Sequence, residues 1–343
     1  MPLPARYAAE AAEVVRLWEP AGYFDAQLGI WLAECQAMHE VDGAPTAAEL
    51  ATIRDALRLS ADEVATLTRA YGHETNTLLR TVQAKLPPAL GNFVHRGNTS
   101  SDVLDTSMAL QIVRSLDVLR GDLDRVAGRL AALALQHVAT LQMARTHGQH
   151  AVPQTFGRQV LGWYAEVQRG LDRLARARTT IAVGKLSGEV GTNVFIRSEL
   201  EAMELWLERD ISHSSTERFA FPDAFGALCY AARLLDRVVG GLVVHGEQMA
   251  RNVERTHGAI YGSRLLNALL DAHAMSRTEA YELVKALAQQ ALDTGVHLRE
   301  LASRDARIAA AIPPTVLAGL FTPDFYLRNV DVAYRRLGLR RPG

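Results

Sequence analysis

Four polar stretches interrupt a chain that otherwise reads as helix: HETN at 73–76, HRGNTSSD at 95–102, RTHGQH at 145–150 and RDISHSSTER at 209–218. Each holds a histidine, the side chain whose ordinary pKa lets it give and take protons near neutrality. Arg209 and Arg218 bracket Ser214 and Ser215. Fork-shaped guanidinium donors with hydroxyls between them suit a phosphate or a carboxylate. Gathered at helix ends, the four stretches would surround a small anion with a proton donor beside it. The same residue types have plainer uses, because histidines and serines at helix ends commonly serve as caps. No HExxH, paired CxxC, glycine-rich nucleotide loop or GxSxG elbow accompanies them. Spacing alone therefore yields an anion site with histidines, no metal and no assigned reaction.

The elements that must position these stretches are helical. Apolar residues make up 48% of the 343 residues and aromatics 6%, a balance that favours leucine- and alanine-rich helices over a β-sandwich. DAQLGIWLAECQAMHEV is a first amphipathic helix. Thr46 with Glu49, Ser60 with Glu63 and Ser276 with Glu279 have the spacing of capping boxes at three further helix starts. After NTSSD, Ile112, Leu116, Leu119, Leu123, Val126, Leu130 and Leu133 form one stripe about 30 Å long. Val160, Tyr164, Val167, Leu171 and Leu174 repeat the rhythm beyond RTHGQH, which predicts two antiparallel rods of a bundle. IRSELEAMELWLERD and GALCYAARLLDRVVGGLVVHGEQMARNV continue the helical pattern. Three regions follow: an N-terminal helical domain at 1–94, a central bundle at 95–262 and a C-terminal helical domain at 263–343.

Composition excludes several classes of function. With 37 basic and 38 acidic residues, the net charge of −1 gives no argument for a nucleic-acid partner. Cys35 and Cys229 are too few and too far apart for a disulfide scaffold or a cysteine metal site. No apolar run is long enough to span a membrane, and MPLPARYAAEAAEVV lacks the apolar core of a signal peptide. A cytoplasmic protein without a cofactor is expected.

Taken together, NTSSDVLDT, RTHGQHAVPQTFG, GKLSGEVGT and LWLERDISHSSTER resemble the fumarase/aspartase superfamily and, within it, the adenylosuccinate lyase family. The likeness runs from RYAAEAAEVVRLWE to LFTPDFYLRNVDVAYRR. It implies an all-α fold, a long helical bundle with helical N- and C-terminal domains. It also implies β-elimination of fumarate from a succinylated amine, either adenylosuccinate or a related substrate. By this resemblance His147 is the general acid, and His73 holds the phosphate and orients the acid. Thr99 and Ser100 bind a carboxylate or line the pocket, Thr146 and Gln149 contact the substrate, and Arg209, Ser214 and Arg218 clamp the phosphate. Active sites in the family draw on several subunits, so a homotetramer or a dimer is implied.

The chain departs from the family pattern at one join. In the family, GxVGT is followed by about a hundred residues. They end in a mobile GSSxMPxKxNPxxSE loop that carries the serine base and a lysine. Here Thr192 runs directly into NVFIRSE, where Ile196–Glu199 resemble the tail just after that loop. The central bundle is therefore expected to be shortened. Loss of a general base lowers the rate by roughly 10² to 10⁴. Glu189, which stands where the family has alanine, and Arg197 are the candidates to replace the missing groups, while HETN in place of HDVV is a milder change. Two alternatives follow: a catalytically inactive relative that binds a nucleotide or dicarboxylate, or a partner subunit of an intact lyase homologue.

Overall fold

A computed structural model describes residues 5–70, 72–188 and 214–340. IRSELEAMELWLERD, Glu189, Arg197 and Arg209 lie outside the described residues. Among the described residues the fold is all-α apart from one hairpin. Helices α1 (Ala5–Glu10), α2 (Ala12–Trp18), α3 (Pro20–Asp42), α4 (Ala47–Ala56), α5 (Ala61–Arg69), α6 (Glu74–Gln83) and α7 (Pro88–Gly91) precede the long α8 (Ser100–Gln136). Strands β1 (Leu141–Thr146) and β2 (Gln149–Thr155) lead into α9 (Phe156–Ile181), and α10 (Ser214–Gly240) and α11 (Gly246–Glu254) follow. The chain ends with α12 (Gly262–Asp271), α13 (Arg277–Thr294), α14 (Leu298–Arg304), α15 (Ala306–Ala311), α16 (Pro314–Leu320), α17 (Asp324–Leu327) and α18 (Val330–Arg336). The three capping boxes open α4, α5 and α13, with both reciprocal bonds made in each.

Two compact units divide the chain, one of residues 1–126 and 169–237, the other of residues 127–168 and 238–343. In the first, α3 begins on Pro20 and stops at Gly43 in the left-handed conformation (φ 70°) that glycine adopts without strain. Phe24, Leu28, Trp31, Cys35 and Met38 recur at three- and four-residue steps on its buried face. They pack on Leu50 and Ile53 of α4, Leu67 of α5, and Leu78 and Val82 of α6. Each such side chain contributes about 1.5–3 kcal/mol on burial. Along α8, Ile112, Leu116 and Leu119 pack on Phe225, Cys229 and Ala232 of α10 and on Val14 and Val15 of α2. A buried ion pair pins the same layer. Arg233 Nε lies 3.0 and 2.9 Å from the two carboxylate oxygens of Asp122, and its Nη1 donates to the Glu10 carbonyl at 2.5 Å.

The stripe on α8 is core as its spacing predicts, with Leu123 and Leu133 only half-buried. The α9 stripe is less covered: Val160 is buried, but Tyr164, Val167, Leu171 and Leu174 remain half-buried.

In the second unit, Leu265, Leu269, Leu283, Val284, Ile308 and Leu317 form one core. The hairpin packs through Met143 on Val253, Ile260 and Tyr261. Buried Tyr334 of α18 donates its hydroxyl to the Ala134 carbonyl at 2.7 Å, next to Gly157. A Cβ on Gly157 would stand 2.4 Å from both of those oxygens. Gly157→Ala is therefore expected to destabilise the protein by about 1–3 kcal/mol, because backbone must move. A lower midpoint in urea denaturation would check this, and an unchanged midpoint would refute the packing described.

Candidate functional site

The start of α8 is the most constrained place in the first unit. Thr99, just before the helix, and Asp102, in its first turn, have capping-box spacing, yet only half the box is made. The Thr99 amide donates to Asp102 Oδ2 at 2.8 Å. The Thr99 hydroxyl is buried and has no hydrogen-bond partner among the described residues. Asp102 is fully buried and accepts two more amides from a distant segment, Ser187 N at 3.2 Å and Gly188 N at 3.2 Å. One turn further along, the Thr106 hydroxyl accepts from Lys185 N at 2.7 Å and donates to Lys185 O at 3.0 Å. The motifs NTSSDVLDT and GKLSG are thus joined by four hydrogen bonds of two side chains, with a fifth local to the helix start.

Around this turn the structure gathers two of the other polar stretches. Asn98 Nδ2 donates to Glu34 Oε1 at 2.5 Å, and Glu34 Oε2 is buried without a partner among the described residues. Burial, reinforced by the Asp102 charge and opposed by the Asn98 bond, pushes the Glu34 carboxyl up to about 8. His95, with φ 62°, accepts from Trp31 Nε1 at Nδ1 (3.1 Å), and burial lowers its pKa, so the ring is neutral near pH 7. His73 occupies the N-cap position of α6, exposed and without a side-chain cap bond, and its charge bears on His95. Glu74, the next residue, pairs with Arg218 of α10 at 3.5 Å. Both line a cavity of about 400 Å³ whose apolar wall includes Trp18, Tyr23, Phe24, Leu67 and Met108. Burial, with Glu74 adding to it, raises the Tyr23 hydroxyl. His73 thus acts on His95, which also feels Asp102, while its neighbour Glu74 meets Arg218; Ser100 is half-buried. Ser214 is the first residue of α10.

In the second unit, the segment read from the sequence as a connection between rods is a β-hairpin. Leu141 pairs with Thr155 and Thr146 with Gln149, with a register irregularity between Met143 and Arg145. His147 and Gly148 form the two-residue turn, with φ 51° and 74°. Positive φ at both central residues is the mark of a type I′ turn, which matches the twist of paired strands. His147 is held exposed at the tip, flanked by exposed Thr146 and Gln149.

Sequence reasoning passed over three residues in the first unit. Asp102 carried a signal, the T-x-x-D spacing. Glu34 carried another, an acid on the apolar face marked by Trp31, Cys35 and Met38. Thr106 had none, because its partner is distant in sequence, and His95, singled out as a proton carrier, gave no sign of its bond with Trp31.

Residues 6–223 match the family described as "Lyase". The chain belongs to the fumarase/aspartase superfamily. Residues 258–337 match "Adenylosuccinate lyase C-terminus", and within the superfamily the chain is most like the adenylosuccinate lyases. Adenylosuccinate lyase of Bacillus subtilis (strain 168) is 28% identical over 425 residues, covering 95% of this chain and 98% of that one. The corresponding protein of Synechocystis sp. (strain ATCC 27184 / PCC 6803 / Kazusa) is 29% identical with the same coverage. Among solved structures, fumarate lyase from Mesorhizobium sp. BNC1 has a TM-score of 0.84 at 21% identity, covering 96% of this superfamily member and 98% of that chain. β-Carboxy-cis,cis-muconate cycloisomerase from Acinetobacter calcoaceticus sp. ADP1 has a TM-score of 0.79 at 20% identity, covering 95% and 97%. These two likenesses establish the fold.

Asp102→Ala strands three amides, and each buried unpaired group costs about 1–3 kcal/mol, so a loss of several kcal/mol is expected in urea denaturation. Thr99→Val removes a hydroxyl that holds nothing and is expected to cost less than about 1 kcal/mol. Equal losses for the two variants would show that the hydroxyl has a structural partner.

Proposed function

We propose that this lyase-family chain carries out β-elimination of fumarate from a succinylated amine, adenylosuccinate or a close relative, with His147 as general acid. The buried Thr99 hydroxyl, presented without a partner at the start of α8, is the observation that carries this reading. A rigid turn holding an uncommitted hydroxyl is a preorganised donor, which is what a substrate carboxylate and a dianionic intermediate require. Ser100 extends that donor set. His73 acts on His95, and Arg209, Ser214 and Arg218 supply the phosphate clamp. Thr146 and Gln149 flank the acid on the hairpin.

A second reading has its own support. The Bacillus subtilis alignment spans 425 residues and reaches 98% of that protein, whereas this chain has 343. That difference favours an internal shortening at the Thr192–Asn193 join, with loss of the serine and lysine loop. On this reading the chain binds a nucleotide or dicarboxylate without turnover, or works as a subunit beside an intact homologue. Homo-oligomerisation accompanies either reading. Phe219, Leu228, Leu234 and Leu235 of α10 are 70%, 51%, 40% and 41% exposed, an apolar surface suited to another subunit.

Fumarate release from adenylosuccinate and from a spread of succinylated amines, followed by ultraviolet absorbance, tests the proposal. Turnover above about 0.1 s⁻¹ by the purified chain is expected. His147→Asn, which keeps a residue tolerant of positive φ, is expected to lower it roughly 10²- to 10⁴-fold with the hairpin intact. Saturable AMP binding without turnover would overturn the enzyme reading in favour of a binder. Activity that arises only on mixing with an intact homologue would identify a partner subunit. Leu234→Glu with Leu235→Glu is expected to reduce the molar mass in light scattering, and no change would remove this surface from the assembly.

A further inference from the structure

Glu34 lies outside every role assigned above, yet its carboxyl is built into the turn that presents Thr99. It reaches from α3 to the Asn98 amide at 2.5 Å. Its second oxygen, the Asn98 carbonyl oxygen, the Thr99 hydroxyl and the Ser187 hydroxyl are all buried without partners among the described residues. These atoms belong to one connected network, since Asn98 and Thr99 are consecutive and Asp102 joins Thr99 to Ser187. The turn is therefore gripped on both flanks by buried carboxyl groups, Glu34 from α3 and Asp102 from α8. Asp102 is matched by three amide donors. Glu34 has a single donor, from a neutral side chain.

We propose that Glu34 is a positioning residue for the candidate carboxylate site: through Asn98 it fixes the turn that presents Thr99, and the site accepts an anion only while the Glu34 carboxyl carries its proton. The role rests on the reading of Thr99 and Ser100 as carboxylate ligands. The groups facing Glu34 are Asp102 on α8, Asn98 on the preceding connection, and Cys35 on its own helix. His95 meets the same Asn98 side chain, and His73 of α6 acts on His95. Of these, the Asp102 carboxyl already accepts three amides, and none of the three groups is cationic. Ionised Glu34 would set a second anion beside Asp102 and beside the incoming carboxylate, with one amide to stabilise it. Burial holds the folded-state value near 8, above the ordinary 4.5, so the proton remains through neutrality and leaves as pH rises past 8. Glu34→Gln keeps an acceptor for Asn98 and cannot ionise. Glu34→Ala loses the acceptor.

Fumarate affinity by calorimetry from about pH 6 to about pH 10 tests the proposal on the full chain. For an obligatory proton, affinity falls about tenfold per pH unit above the titration point. The wild type is expected to show that fall above pH 8. Glu34→Gln is expected to match the wild type's low-pH affinity and stay flat, and Glu34→Ala to bind weakly at every pH. A fall above pH 8 that persists in Glu34→Gln, or wild-type affinity in Glu34→Ala, would overturn the proposal. Thr99→Val reports separately on the underlying reading, because unchanged fumarate binding there would mean the turn is not the carboxylate site. Hydrogen exchange decides the role of Glu34 in that case, and also if fumarate does not bind. In peptides covering 98–103 and 184–188, the wild type is expected to exchange faster relative to Glu34→Gln once pH exceeds 8. A ratio that stays constant with pH would show that Glu34 does not hold the turn.

Discussion

The Asp102 carboxylate is the constraint on which the first unit's site depends. A fully buried carboxylate is tolerable only where charge-assisted hydrogen bonds replace water, and here three backbone amides do so. Two of those amides belong to residues more than eighty positions away, so the bond that begins α8 also closes a long loop. The carboxylate makes its half of the capping box, while the neighbouring Thr99 hydroxyl leaves the other half unmade. A helix start normally uses both halves of such a box for its own amides. This one keeps its hydroxyl uncommitted at a turn that the buried carboxylate fixes.

The two units place their candidate site residues by different means. In the first, the side chains around Thr99 are held by tertiary hydrogen bonds and by burial, which also raises the Glu34 carboxyl and lowers His95. In the second, His147 is placed by backbone conformation alone, at the tip of a tight turn whose strands anchor through Met143. The first device ties position to protonation. The second leaves the imidazole exposed.

How much of this was legible in the sequence follows the range of the interactions. Thr46–Glu49, Ser60–Glu63 and Ser276–Glu279 were readable because a capping box is complete within four residues. The α8 stripe was readable because periodicity is local. The hairpin was not: Leu141–Thr155 includes Pro153 and turns on His-Gly rather than the Asn-Gly that signals a type I′ turn, so its strand character shows only on pairing. On α9 the apolar rhythm was correct but incompletely covered, since a stripe records what a helix can bury and not what a single chain supplies. The bonds of Thr106 and His95 were invisible for a related reason. Their partners, Lys185 and Trp31, are set by the fold, and no spacing rule links them.

The Thr106–Lys185 pairing has a wider consequence. One hydroxyl meets both the amide and the carbonyl of a single residue, as a strand neighbour would, so it fixes that residue's position and its orientation together. With Asp102 gripping the next two amides but one, the path of the backbone through Lys185–Gly188 is set from upstream. Whatever chain follows Gly188 starts from a fixed point in a fixed direction, independent of its own length. Such an anchor isolates the turn at the start of α8 from changes of chain length beyond Gly188.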